Sequence, residues 1–531
     1  MTSVGIIISL FGTIYYLLLE IQGVPQPFTE CIYFVWITLA TVGYGDTGFH
    51  GSSLILIVTI LVGTYLITRF IVLSAHVYAR ILVEQVYDLQ VLNEMRRSLE
   101  KAGGHFLIFG DDRELINKII QGLIAHQEVY LVSEDLRMLK EFKEDYESLK
   151  YIVAKPFRAE TVDFLRPKEA KGAYLLYCED EKNILLAAML ENKVRVISAF
   201  SGNSAAVQRF RRVGVEPISP HSTGGLKIVS TLIRPKSTEF LDRFLLPDDG
   251  VLEFKIVKSG ETGENSRYVA LGSMVKDKLD FSSPPERGAD ILTIGFRNPE
   301  STVHKIGRLD APDLPLTKDR FLVMGGGTIG GTVIEELRAT LREVTVIEPL
   351  ANKIEASRRR FGEEGIIYIQ GDGESTQYRK EEFDGVAICT PIEEKNFAIG
   401  LDFVGSRLLR VVRAVDDDME SHYHRIGAIP VFIGEVGSAR MLREVTNKFV
   451  NEVLHSMLHQ HYRIDQVYIS KHSTMRELKK QFGVQVIALC RGNICYFGSN
   501  DDEIFHEGDT LIICGHVEAN KKLRMFHLLE S

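Results

Sequence analysis

Apolar and polar positions divide the chain into a short leading part and a long remainder. Residues 4–19 are apolar apart from Ser9 and Thr13. With their neighbours they make about 20 residues, enough to cross roughly 30 Å of hydrocarbon as a helix. A cleaved leader is the other reading of this run, but it lacks a basic flank. Leu54 to Leu73 is a second run of similar length. Between the two, Phe28 to Ala40 reads as a short apolar helix: Pro27 sets its start, Thr29 can cap it, and Glu30 falls in the first turn, where the helix dipole favours an anion. From Val72 to Lys101 apolar residues (Ile81, Val83, Val86, Leu89, Leu92) keep a helical spacing that ends at Gly103-Gly104. Beyond that point the pattern changes to short apolar strands alternating with helical segments.

The remainder repeats itself. Phe106-Leu107-Ile108-Phe109-Gly110 matches Phe321-Leu322-Val323-Met324-Gly325, and Val129–Ser133 matches Val344–Glu348, both at an offset of 215. Glu181-Lys182-Asn183 matches Glu394-Lys395-Asn396, and Arg212-Val213-Gly214 matches Arg425-Ile426-Gly427, both at 213. Each copy reads as a parallel, doubly wound α/β lobe, then a helix-rich crossover (residues 226–245 and 439–458), then a small lobe with strand-like alternation. Asp319–Met324 reads both as the closing strand of the first small lobe, by likeness to Asp509–Cys514, and as the opening strand of the second α/β lobe. The glycines that follow decide for the second. The first small lobe is therefore expected to lack its last strand. The expected divisions are 1–98, 99–235, 236–316, 317–448 and 449–531.

Composition narrows the setting. At 531 residues with 45% hydrophobic and 25% charged content, the apolar runs are a minority of an otherwise ordinary soluble composition. A net charge of −9 without a long basic run argues against nucleic acid as a partner. The six cysteines are scattered without a CxxC pair, and are expected to be reduced. The segment between the apolar runs holds Glu20, Glu30 and Asp46 but no Lys or Arg, whereas Arg69, Arg80, Arg96, Arg97 and Lys101 end or follow the second run. The positive-inside bias then places all that follows in the cytoplasm of a cell whose plasma membrane the runs cross. Gly63, within the second run, reads as a gating hinge or as a point of close helix packing.

Thr41-Val42-Gly43-Tyr44-Gly45-Asp46 resembles the selectivity filter of potassium channels. In such a filter backbone carbonyls of four copies replace the hydration shell of K+, with Gly43 and Gly45 allowing the alternating backbone. The resemblance implies a homotetramer in a lipid bilayer, with Thr41, Val42, Gly43, Tyr44 and Gly45 lining the ion path.

The second α/β copy carries nucleotide chemistry. Gly325-Gly326-Gly327-Thr328-Ile329-Gly330 fits G-x-G-x-x-G between an expected strand and an expected helix. Gly325 permits the turn, Gly327 lets pyrophosphate approach, and Gly330 allows tight helix–strand packing. Thr328 and Ile329 open the helix whose N-terminus faces phosphate. Glu348 ends the next strand, placed for ribose hydroxyls. Asp372 ends the third, within reach of adenine, and Thr390 follows the fourth. With no arginine after Glu348, NAD or an ADP/ATP-type nucleotide is favoured over NADP. The first copy departs at each point: Asp112 and Leu115 replace two glycines, Ser133 the acid and Phe157 the aspartate. It is expected not to bind a dinucleotide in this way.

Together these features resemble two-transmembrane potassium channels with cytoplasmic RCK (regulator of K+ conductance) domains. The implied fold is an all-α pore domain plus two tandem Rossmann-like α/β domains, each with a small α+β C-terminal lobe. The implied activity is potassium conduction gated by intracellular ligands through a ring of eight RCK domains. Calcium is a common ligand in that family, but Ser198-Ala199-Phe200-Ser201 offers no carboxylate at the family position. Asp416, Asp417, Asp418 and Glu420 are the alternative calcium candidates. His455, His459 and His461 are expected at a surface or interface. A membrane-tethered NAD-dependent oxidoreductase shares the glycine motif but lacks an evident acid–base set. A transporter's regulatory subunit leaves the filter unexplained. No catalytic residues are expected.

Overall fold

The computed structural model describes residues 2–39, 65, 69, 72, 104–247, 250–259, 268–275, 278–281, 289–298, 305–312, 319–340, 342–373, 380–498 and 502–528. It forms two units, Met1–Glu100 and Lys101–Ser531. In the first unit, α1 (Thr2–Ile21) packs against α2 (Phe28–Leu39). Tyr15, Leu19, Cys31 and Val35 form the buried seam. A side chain at Gly12 would lie 2.7 Å from Ile32, so the two helices meet where α1 has none. Pro27 O accepts from the Glu30 and Cys31 amides. Thr29 is thus inside the helix, and the cap expected of it falls to Pro27. Side chains of α1 are described from residue 9 onward. Among the described residues no helix is long and apolar enough to cross a membrane. Thr41 to Asp46 and Gly63 lie outside the described residues, as does most of the second apolar run, of which residues 65, 69 and 72 are helical.

The second unit contains both copies. In the first, strands β1 (Phe106–Gly110), β2 (Val129–Ser133), β3 (Lys150–Val153), β4 (Gly172–Leu176) and β5 (Ile197–Ala199) form a sheet in the order β3-β2-β1-β4-β5. All its pairs are parallel. Central strands β1, β2 and β4 are buried at every residue, as expected for a sheet covered on both faces. Helix α3 (Arg113–Leu123) follows β1, capped by Asp112, whose Oδ1 accepts from the Leu115 amide at 3.1 Å. Its buried face is Leu115, Ile116, Ile119, Ile120 and Leu123. The crossover then begins with α4 (Pro220–Ile233), capped by Ser219, and α5 (Pro235–Phe240).

The first small lobe holds β6 (Leu252–Lys258), β7 (Tyr268–Val275), β8 (Lys278–Asp280) and β9 (Asp290–Phe296), and β10 (Lys305–Arg308) leaves it. The second copy has β11 (Arg320–Met324), α6 (Thr328–Ala339), β12 (Glu343–Glu348), β13 (Ile366–Gln370), β14 (Gly385–Ile388), β15 (Leu409–Ala414) and β16 (Ala428–Phe432). Its order, β13-β12-β11-β14-β15-β16, is the doubly wound arrangement with the switch point between β11 and β14. Helices α7 (Ile433–Thr446) and α8 (Lys448–His459) follow. The last small lobe contains β17 (Tyr462–Tyr468), β18 (Ser473–Thr474), α9 (Met475–Phe482), β19 (Gln485–Arg491), β20 (Ile494–Phe497), β21 (Ile504–Phe505), β22 (Thr510–His516) and α10 (Val517–Leu528).

The two copies exchange their crossover helices. On α4, Ile228, Val229, Leu232 and Ile233 enter the core of the second sheet, beside Phe321, Val323 and Val333. On α7, Met441 enters the core of the first, with Leu442 and Val445 packed against it. Where the exchanged helices meet, each offers a glycine. A Cβ at Gly224 would lie 2.3 Å from Ile433 Cδ1, and one at Gly437 would lie 2.6 Å from Pro220 Cβ. The repeat spacing of 213 maps these two contacts onto each other. The small lobes also share one core, with Leu252, Leu292 and Ile294 beside Val453, Ile487 and Ile512.

Two sequence expectations are corrected. The first small lobe does have its closing strand. Its order β6-β9-β7-β8 repeats β17-β22-β19-β20, so β9 stands where β22 does. Gly288-Ala289-Asp290-Ile291-Leu292 is the counterpart of Gly508-Asp509-Thr510-Leu511-Ile512. The extra strand is β10, which crosses to pair with β20 of the other lobe, Arg308 opposite Ile494. Of the cysteines, Cys490 and Cys495 face each other across the β19–β20 hairpin and form a disulfide, their Cα atoms 4.1 Å apart. A tight Gly492-Asn493 turn sets this register. Cys31, Cys178, Cys389 and Cys514 are free.

Candidate functional site

The crevice at the carboxyl ends of β11, β12 and β14 is built by three glycines with separate roles. Gly325 has φ +98, a left-handed conformation that glycine adopts without strain, and a Cβ there would lie 3.2 Å from the Cys389 backbone. Gly330 sits in the first turn of α6, where a Cβ would lie 1.9 Å from Gly325 O. Helix and strand touch backbone to backbone here. Gly327 caps α6 with φ −70 and no capping side chain, and no heavy atom would lie within 4 Å of a Cβ on it. A side chain there is sterically possible. Its absence leaves the helix N-terminus open, and a phosphate could approach the Thr328 and Ile329 amides.

Glu348, 4% exposed at the end of β12, holds the turn from the side. Its Oε2 accepts from the Gly326 amide at 2.7 Å and its Oε1 from the Leu350 amide at 3.2 Å. The carboxylate is thereby fixed beside the glycine turn with lone pairs remaining for hydroxyl donors. Asp372 is exposed just past β13, whose Gln370 pairs with Glu348. The five positions expected for nucleotide contact (Gly325, Gly327, Gly330, Glu348, Asp372) thus converge on one crevice.

Thr390 closes the opposite wall. Its hydroxyl donates to Asn396 Oδ1 at 2.6 Å, and Asn396 Nδ2 donates to Thr390 O and Arg413 O at 3.1 and 3.0 Å. Arg413 Nη1 adds a bond to Thr390 O at 2.8 Å. Asn396 and Arg413 were not anticipated as site residues. The repeat of Glu-Lys-Asn was the available signal: Asn183 makes the same clip in the first copy, donating to Tyr177 O and Phe200 O at 2.8 and 3.0 Å. Beneath the turn, burial pushes the Cys389 thiol up to about 12, so it stays protonated.

In the first copy the same crevice is filled by its own side chains. Asp112 occupies the N-cap with its carboxylate, where Gly327 leaves an opening. Asp111 Oδ1 accepts from the Cys178 amide at 2.8 Å. Leu115 is buried in the core, Ser133 Oγ accepts from Asp135 N at 3.1 Å, and Phe157 packs on Tyr177 with ring centroids 5.3 Å apart. An anion here would meet a carboxylate in place of free amides.

Among the described residues, carboxylates of the acidic runs are engaged in turn caps and ion pairs. Asp416 Oδ1 accepts from the Asp418 amide at 3.0 Å, Asp417 Oδ2 accepts from Lys118 Nζ at 3.1 Å, and Glu420 pairs with His424 at 3.5 Å. Glu179 and Glu181 pair with Lys182 and Arg209, and Asp502 and Glu503 with Arg476 and Arg491. Among the described residues no group of three or more His, Cys, Asp or Glu is placed to hold a metal ion. Asp416, Asp417, Asp418 and Glu420, the calcium candidates of the sequence, do not form such a group. These carboxylates cap a turn and tie the second copy to α3 of the first. His455 and His461 are exposed.

Comparison with known proteins agrees with this layout. The ion-channel family matches residues 3–80 and the TrkA-N domain matches residues 321–433. The chain is 27% identical over 248 residues, 45% of its length and 70% of the relative's, to "Probable potassium channel protein 2" of Methanocaldococcus jannaschii. Among solved structures it resembles the human SLO3 gating ring, with a TM-score of 0.58 and 11% identity over 78% of this chain and 99% of that one. It also aligns with the GsuK channel bound to NAD, with a TM-score of 0.42 and 17% identity, covering 100% of this chain and 98% of that one. The chain thus carries an ion-channel segment and, in its second α/β copy, a TrkA-N domain, and it is similar over 45% of its length to a potassium channel.

Proposed function

We propose that the protein is a potassium channel with RCK domains, gated by an adenine nucleotide, NAD or an ADP/ATP-type ligand, held in the second RCK lobe by Gly325, Gly327, Gly330, Glu348 and Asp372. The observation that carries the reading is the open helix cap at Gly327 beside a buried, oriented Glu348. One face offers amides to phosphate and the other offers a carboxylate to ribose, in the geometry of dinucleotide-binding lobes. The first lobe, with its cap filled, serves as a structural partner. K+ crosses through Thr41 to Gly45 of four copies in a plasma membrane, with the RCK lobes on the cytoplasmic side and Gly63 as the bend in the inner helix. The pore is all-α, each copy ends in a small α+β lobe, and the divisions fall near residues 98, 235, 316 and 448. The ligand shifts the open–closed balance only by its differential affinity for the two states.

Potassium flux from the full-length protein in liposomes, with and without NAD or ADP, tests this. Wild type changes its flux on nucleotide addition, whereas Glu348→Ala conducts but loses the response. A Glu348→Ala channel that responds like wild type removes this crevice from gating.

A further inference from the structure

Arg413 stands near the end of β15, on the far side of the switch point from Glu348. Its Nη1 is anchored on Thr390 O at 2.8 Å, while its Nε is buried without a hydrogen-bond partner. Its own carbonyl is held by Asn396, so backbone and side chain are tied to the same turn. That turn borders the glycine loop: a Cβ on Gly325 would lie 3.4 Å from Thr390 N. Arg413 as a whole is half-buried, and a buried Nε–H without an acceptor is costly unless one arrives.

A second group capable of positive charge lies on the helix of the other copy that packs against β15. His221 is exposed on the first turn of α4, the helix that the first copy contributes to the second sheet. Partial burial of its ring lowers the His221 pKa, and the charge of Arg413 lowers it further. On the same helix Gly225 abuts the glycine-loop helix, where a Cβ would lie 3.2 Å from Ile329 O and 2.7 Å from Thr332.

The order across the crevice is therefore Glu348, the open cap at Gly327, Thr390, then Arg413 with His221. A nucleotide with its ribose at Glu348 and its first phosphate at the cap directs its next group towards Arg413. Arginine binds phosphate oxygens in a fork that a lone carbonyl contact does not exhaust. We propose that Arg413, assisted by His221, receives the second phosphate of the ligand, so that the crevice selects adenosine pyrophosphates over the monophosphate and joins the two copies through that phosphate. This rests on the nucleotide reading above. ADP and NAD share the pyrophosphate, whereas AMP ends at the glycine cap.

Calorimetric titration of the full-length protein in detergent with AMP, ADP and NAD separates the outcomes. Wild type binds ADP and NAD more tightly than AMP. Arg413→Met weakens ADP and NAD by about 10- to 100-fold while changing AMP less than about 2-fold. His221→Gln, at an exposed position, weakens the pyrophosphates by several-fold and also spares AMP. Equal weakening of all three by Arg413→Met would mark a merely structural arginine and overturn the proposal, as would an unchanged ADP-to-AMP preference in both variants. If Arg413→Met fails to assemble, His221→Gln decides by the same ratio. Wild type binding no nucleotide, or Glu348→Ala binding all three normally, overturns the underlying nucleotide reading instead.

Discussion

Gly327 and Gly330 are three residues apart and face opposite constraints. A side chain at Gly330 collides with Gly325 O, and a side chain at Gly327 meets nothing. Gly330→Ala is therefore expected to cost about 1–3 kcal/mol of stability, the usual penalty for overpacking, and to lose nucleotide binding with it. Gly327→Val should melt within about 1 °C of wild type, yet bind nucleotide at least about 10-fold more weakly, because only the ligand's space is filled. Thermal melting paired with titration distinguishes the two. At this scale the sequence was legible wherever a residue type has one physical use. Three glycines after a strand and an acid at the end of the next state their roles. Arg413 and Asn396 were not legible, because an arginine in a strand and an asparagine in a helix have many uses. Only their convergence on Thr390 O selects one.

At the scale of elements, strand and helix periodicity gave the two sheets and the crossover segments, but not where those segments pack. An amphipathic helix records that it is buried, and not which sheet buries it. The exchange of α4 and α7 is written instead in close approaches. Gly437 has Pro220 against it, so Gly437→Leu should lower the melting temperature of the assembled channel by several degrees, about 1–3 kcal/mol, and loosen both copies together. The exchange also places a titrating group in the interface. Glu444 on α7 is raised from 4.5 to about 7, first by burial and then by Glu216, with Arg440 opposing. It acts in turn on buried Tyr174 of β4, whose hydroxyl has no hydrogen-bond partner. Because the folded state holds this proton more tightly than the unfolded chain does, its contribution is fully present below about pH 4.5. It is lost as pH rises to about 7, a swing of about 3 kcal/mol. Thermal melts between pH 5 and 8 should show that loss in wild type and a flatter profile in Glu444→Gln. Equal slopes would remove Glu444 from the account.

Across the whole molecule, the tandem architecture was readable from the steady repeat offset, while the missing-strand expectation failed for an instructive reason. Strand propensity alone does not say which sheet a strand joins. Asp319–Met324 looked like the closing strand of the first small lobe, but it pairs with β12 and β14, whereas Asp290–Phe296, between β6 and β7, takes that place. For the channel as an assembly, the filter sequence predicts four-fold particles that pass K+ well above Na+, checked by mass photometry and by bi-ionic reversal potentials. Comparable permeability for the two ions would refute the filter assignment.

The β10 excursion has a practical corollary for anyone dissecting the protein. A fragment beginning near residue 317 would leave β20 as a bare edge, with its amides and carbonyls ready to template stacking between molecules. Such a fragment should come out of cells insoluble, and co-expressing the upstream half should rescue it.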